Sequence, residues 1–135
     1  MRRSFILSAA SAVGALFGVS ASAQDVNCAS PTTQYEMTAC ASIEYEAADA
    51  DLNAAYKRAM AHAKVMDQGL AADEVTGAVI LRDAQRAWIP FRDKACEAES
   101  LKARGGSMQS QLFYLCLTRQ TRNRTVDLQY FAETY

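Results

Sequence analysis

Along residues 34–66, apolar and small residues recur at steps of three and four. Tyr45, Ala48, Leu52, Tyr56, Ala59 and Ala63 make one such series. At 3.6 residues per turn they fall on a single stripe of a helix. Glu44, Glu46, Asp51, Lys57, Arg58 and His62 fall mostly off it, so the pattern predicts a first amphipathic helix over 34–66. The stretch "MDQGLAAD" breaks the period, with Gly69 as the expected stop and Asp73 as the expected cap of the next helix. The second helix is expected over 74–103. Its stripe is Leu81, Gln85, Trp88, Arg92 and Cys96, widened by Ala84, Phe91 and Ala95. "RGG" at Arg104 to Gly106 ends it, and Ser107 is placed to cap a third helix over 108–133. There Phe113, Leu117, Thr121, Arg124, Leu128 and Phe131 form the inward face, flanked by Leu112, Cys116 and Val126. Residues 24–33 read as irregular, with Pro31 as a helix-start signal.

Three helices joined by short turns give an all-α fold, a small antiparallel three-helix bundle with a helical hairpin. Alanine, leucine, glutamate, arginine and glutamine, all helix formers, dominate the chain after its first 23 residues. Pro90, inside the second helix, removes the amide that would bond the Arg86 carbonyl. A bend near residues 86–89 is the expected consequence.

The first residues follow a different rule. Arg2 and Arg3 precede an apolar run over residues 5–19, and Ala21, Ser22 and Ala23 supply a small-x-small site. This is the pattern of a secretory signal peptide, 1–23, cleaved after Ala23. The run is short of the ~20 residues that span a bilayer. No cysteine sits directly after the cleavage point, so neither a membrane anchor nor a lipid anchor is expected. The exported domain is then 24–135, the size of a single domain. Without Arg2 and Arg3, 12 basic residues face 15 acidic ones, which argues against nucleic acid as a partner.

All four cysteines, Cys28, Cys40, Cys96 and Cys116, lie in that domain. An even count in a small exported chain reads as two disulfides. A zinc site would want C-x-x-C or paired histidines; neither spacing occurs and His62 is the sole histidine. No metal and no cofactor is therefore expected. Cys96 and Cys116 each stand ten residues from Gly106. In a hairpin turning there they face each other, each about 15 Å from the turn. That spacing favours Cys96–Cys116 with Cys28–Cys40; the competing arrangement joins Cys40 to Cys96 across antiparallel helices.

The polar residues on the inner stripes raise the question of chemistry. Trp88 needs a partner for its indole N–H, and Arg92 on the same stripe needs a counter-charge. The first helix offers Asp49 and Asn53, one turn apart. A cluster of Asp49, Asn53, Gln85 and Arg92 beside Trp88 is expected, as an interior network that fixes helix register. The competing reading is a recognition pocket. Catalysis is not expected. There is no nucleophile–base–orienter set, and no glycine-rich phosphate loop follows a strand. Binding surfaces are left to the loop 67–73, the C-terminal "LQYFAETY" and the "KARGGS" turn. In that turn Lys102, Arg104 and Ser107 are the candidate partner-binding residues.

The motifs "YEMTAC", "YEAADADLNAAY", "LRDAQRAWIPFRDKAC" and "GGS" followed by "CLTRQTRNRTVDL" occur in this order between Tyr35 and Leu128. In this order the chain resembles the small exported proteins related to the lysozyme inhibitor LprI, long labelled a domain of unknown function. The resemblance implies a helical, disulfide-linked exported domain, periplasmic or secreted, whose protein partner is lysozyme. This chain differs from the founding inhibitor in lacking a lipid-anchoring cysteine after its leader, and Pro90 interrupts a position expected to be freely helical. The alternative is a cell-envelope interaction module that inhibits nothing.

Overall fold

The computed structural model describes residues 26–133; the expected leader, 1–23, lies outside them. The described residues form three α-helices, α1 (Gln34–Met66), α2 (Gly77–Ser100) and α3 (Gln109–Ala132), with a short 3-10 turn, Leu101–Ala103, after α2. No strand occurs among the described residues. The chain is an all-α bundle with two disulfides, as its periodicity and cysteine spacing indicate.

The entry to α1 is fixed by a reciprocal cap. The Thr33 hydroxyl accepts from the Glu36 amide at 3.2 Å. The Glu36 carboxylate accepts from the amides of Thr32 at 2.8 Å and Thr33 at 2.9 Å. These bonds, the Thr32 amide foremost, hold the Glu36 pKa down to about 2. Its pKa is lower folded than unfolded. The stabilisation it brings is therefore complete above the ordinary carboxylate range and is lost as pH falls from about 4.5 through about 2. Thermal melts of the native chain and Glu36→Gln are expected to differ at pH 6 and to converge near pH 2. A gap independent of pH would show that the charge is not what the cap uses.

The second helix begins later than its sequence pattern suggests. Asp73 does not cap it. Thr76 does, its hydroxyl accepting from the Val79 amide at 3.3 Å. The reason lies across the loop. Asp67, at the end of α1, accepts from the amides of Gly77 at 2.6 Å and Ala78 at 3.1 Å. One carboxylate thus satisfies two of the first free N–H groups of α2 and ties the two helix ends together. Gly77 permits the approach, since a Cβ there would stand 3.2 Å from the Asp67 Oδ1.

Ser107 is not a cap either. Met108 occupies the N-cap of α3 without a side-chain bond, and the Gln109 Oε1 accepts from the Gly105 amide at 2.9 Å instead. Gly105, at φ +75°, supplies the left-handed step that reverses the chain.

α2 runs antiparallel to α1 and α3, so α1 and α3 lie parallel. Gln34 Nε2 donates to Gln111 Oε1 at one end, and His62 meets Phe131 at the other. The most extensive packing is between α1 and α3. Ala55, Ala59 and Ala63 are wholly buried there, with Leu52 from α1, Leu81 from α2 and Leu128 from α3. Small residues on α1 let α3 approach closely. A second, smaller core surrounds Cys96, Cys116 and Leu117, with Tyr45, Phe113 and Tyr114 packed against it.

The buried stripe of α2 is narrow. Leu81, Gln85, Arg92, Cys96 and Ser100 are buried on it, whereas Phe91 is 63% exposed and Ala84 faces solvent. Neither widens the core, because α2 has little of α1 to pack on. Val126 on α3 is likewise exposed. Pro90 also lies on the outer face, and α2 continues through it. The carbonyl it leaves unbonded is on the side water can reach.

The disulfides are Cys28–Cys40 and Cys96–Cys116, with Cα separations of 5.5 and 5.4 Å. The competing Cys40–Cys96 pairing does not form, since Cys40 lies early in α1, beside the irregular N-terminal segment that carries Cys28.

Candidate functional site

Two groups of residues carry the polar chemistry of the bundle, one inside and one at its tip. The inner group centres on Arg92, only 6% exposed. Its guanidinium carbon stands 5.1 Å from the ring centroid of Trp88 and 5.4 Å from that of Tyr45. A cation between two ring faces is held by their quadrupoles. Its Nε donates to Asp93 Oδ1 at 2.9 Å, and its Nη1 lies 3.4 Å from Thr121 Oγ1 and 3.5 Å from Asp49 Oδ1. Asn53 Nδ2 in turn donates to Asp49 Oδ2 at 2.9 Å. Burial pushes the Tyr45 hydroxyl above its ordinary pKa; nearby Arg92 opposes this, while Asp49 and Asp93 add to it.

Asp49, Asn53, Trp88 and Arg92 are therefore together. Gln85 is not with them. It lies two turns from Arg92, and its Oε1 accepts from Arg124 Nε of α3 at 3.1 Å. Tyr45, Thr121 and Asp93 complete the cluster and were not among its expected members. The signals were on hand: Tyr45 is one turn before Asp49 on the α1 stripe, and Thr121 is a polar residue on the inward stripe of α3. All three helices meet at this one guanidinium. Asp49 and Asp93 keep their side chains about 40% exposed, so the carboxylates are wet and the cation is dry.

The arrangement joins helices and offers no reacting group. Arg92→Lys is expected to lower stability by about 1–2 kcal/mol, because lysine keeps the charge but loses the flat stack and the fork of donors. Equilibrium urea unfolding reads this. An unchanged midpoint would show that positive charge alone, without the flat stack and the donor fork, accounts for the cluster's strength.

The tip group lies on the turn between α2 and α3. Lys102, Arg104 and Ser107 are all exposed. The nearby carboxylates are already matched: Glu97 pairs with Lys94 at 2.6 Å and Glu99 with Arg119 at 2.5 Å. Lys102 and Arg104 have no ion-pair partner among the described residues. The turn thus presents uncompensated positive charge. Beneath it the buried Cys96–Cys116 bridge clamps the two helices. A concavity of about 510 Å³ opens beside it, between Ser100, Gly105, Gln109 and Tyr114.

Other chemistry is sparse. No group of three or more His, Cys, Asp or Glu is placed to hold a metal ion among the described residues. No helix among them is long and apolar enough to cross a membrane. His62 stands edge-on to Phe131, with ring centroids 5.8 Å apart.

The family model described as "Lysozyme inhibitor LprI" matches residues 27–128. The chain belongs to the LprI family. That span holds both disulfides, the Arg92 cluster and the basic turn. An uncharacterized protein of Rhizobium meliloti (strain 1021) is 39% identical over 111 residues, 80% of each chain. The uncharacterized protein YecT of Escherichia coli (strain K12) is 31% identical over 100 residues, 70% of this chain and 62% of its own. No solved structure matches significantly. Membership in the LprI family makes a binding or inhibitory role the coarse expectation, and two disulfides in so small a domain accord with an oxidising compartment.

Proposed function

We propose that this LprI-family chain is an exported lysozyme inhibitor that blocks the muramidase cleft with its α2–α3 turn. The observation that carries the reading is the positive charge of Lys102 and Arg104, without an ion-pair partner among the described residues, on a disulfide-clamped turn. Glycosidic cleavage of this type depends on two carboxylates flanking the scissile bond. A basic turn complements such a cleft, and a turn held rigid loses little entropy on entering it. Ser107, exposed on the same turn, supplies a neutral hydroxyl for hydrogen bonding at the contact. The acidic outer face of α1, with Glu46 and Asp51 exposed, steers a basic enzyme toward the molecule.

The test is lysis of a cell-wall suspension by several lysozymes in the presence of oxidised chain 24–135. Dose-dependent slowing is expected. Unchanged lysis with every enzyme at severalfold molar excess would overturn the reading. The alternative, an envelope interaction module without inhibition, draws on Ile89 and Phe91, which are 41% and 63% exposed on the outer face of α2. It predicts a partner captured in the absence of any muramidase, and loss of that partner on Phe91→Asp.

A further inference from the structure

A trough of about 590 Å³ opens at the end of the bundle opposite the basic turn. The last turn of α1, the first turns of α2 and the last turns of α3 enclose it. Leu81 and Leu128 form its floor, both buried. Its walls are largely apolar: Met66, Ile80, Ala84 and Phe131 line it, with the edge of His62. Met66 and Ile80 are each 59% exposed, although they face an interior-like surface. Apolar side chains left open in this way gain free energy when another apolar body covers them. The trough is also preformed. The bonds from Asp67 to the Gly77 and Ala78 amides fix the spacing of α1 and α2 at its mouth.

The charges around it are not balanced. Among the described residues Arg124 is the one permanent cation lining the trough; its side chain is 18% exposed and is engaged by Gln85 and by Asp127 at 3.9 Å. Asp127, with its side chain 67% exposed, and Glu133, also exposed, stand at the rim. Glu133 has no ion-pair partner among the described residues. The free charge at the mouth is negative, and the wall behind it is apolar.

The geometry points to a binding site for a small cationic amphiphile, with its apolar body against Met66, Ile80 and Phe131 and its positive head beside Asp127 and Glu133. The volume lies in the range of drug-sized ligands. The site stands apart from the basic turn, so it is independent of the inhibitory reading.

The probe is N-phenyl-1-naphthylamine, a neutral dye that brightens in apolar surroundings, added to oxidised chain 24–135. A saturable rise in fluorescence is expected. Decyltrimethylammonium, below its micelle concentration, is expected to displace the dye at roughly tenfold lower concentration than decanoate, which carries a similar tail and the opposite charge. Ile80→Glu and Met66→Glu, both at exposed positions, are each expected to abolish the dye signal while leaving the helical circular dichroism unchanged. Asp127→Asn with Glu133→Gln is expected to keep dye binding and to erase the preference between the two heads. The proposal is overturned by the absence of a saturable signal, by a signal that survives both trough variants, or by decanoate displacing the dye as well as the cation does. It is also overturned if the trough binds only a basic protein segment and no free amphiphile.

Discussion

Replacing Cys96 and Cys116 together by serine is expected to destabilise the bundle by about 3 kcal/mol. The bridge closes a loop with a sequence separation of 20, and the chain-entropy model gives roughly that figure for such a loop. Both sulfurs are buried, at 0% and 1% exposure, so two serine hydroxyls would also enter an apolar site beside Leu117. For a domain of this size the loss corresponds to a fall in melting temperature on the order of 10–20 °C. On the proposed reading it also loosens the basic turn, so inhibition should weaken more than the folded fraction alone explains. Serine at Cys28 and Cys40 is the control. That bridge ties the irregular N-terminal segment onto α1 with Cys28 exposed, and its loss should leave the turn and its inhibition intact. Calorimetry and the lysis assay on both double variants read the difference. An unchanged melting temperature without Cys96–Cys116 would refute the account of the hairpin as clamped by its bridge.

On the proposed reading, reversing both charges of the turn, with Lys102→Glu and Arg104→Glu, is expected to weaken lysozyme inhibition on the order of 100-fold. Each reversal exchanges an attraction to cleft carboxylates for a repulsion, and tenfold in affinity is about 1.4 kcal/mol. Stability should hardly move, because both side chains are exposed and make no ion pair among the described residues. Lys57→Glu with Arg58→Glu changes net charge by the same amount at exposed positions of α1. That variant should inhibit nearly as well as the native chain. Equal losses in the two variants would mean that overall charge, and not the turn, is what lysozyme senses. Retained inhibition in the turn variant would move the contact elsewhere on the surface.

The helix periods and the cysteine spacing were legible because each is a local property. α1 begins and ends where its stripe does, since its caps are close by: Thr33 with Glu36 at the start, and a loop turning at Gly69 after its end. The start of α2 was not legible in the same way. Its amides are satisfied by Asp67, ten residues away across a loop, so the capping signal at Asp73 had no role left. Gln85 shows the same limit. Its stripe position says that it faces inward, but its partner is on α3, and helix periodicity does not specify which neighbour an inward residue meets.

The sequence by itself determined that this chain is a small all-helical domain with two disulfides, because period, helix propensity and hairpin reach depend only on residues near one another along the chain. The tertiary structure alone decided that Arg92 is shared by three helices and two rings. It also decided that Phe91 faces water and that Lys102 and Arg104 find no counter-charge among the described residues. Those outcomes depend on which helices pack most closely. The run of alanines on α1 sets that by drawing α3 in and leaving α2 with one narrow face to bury.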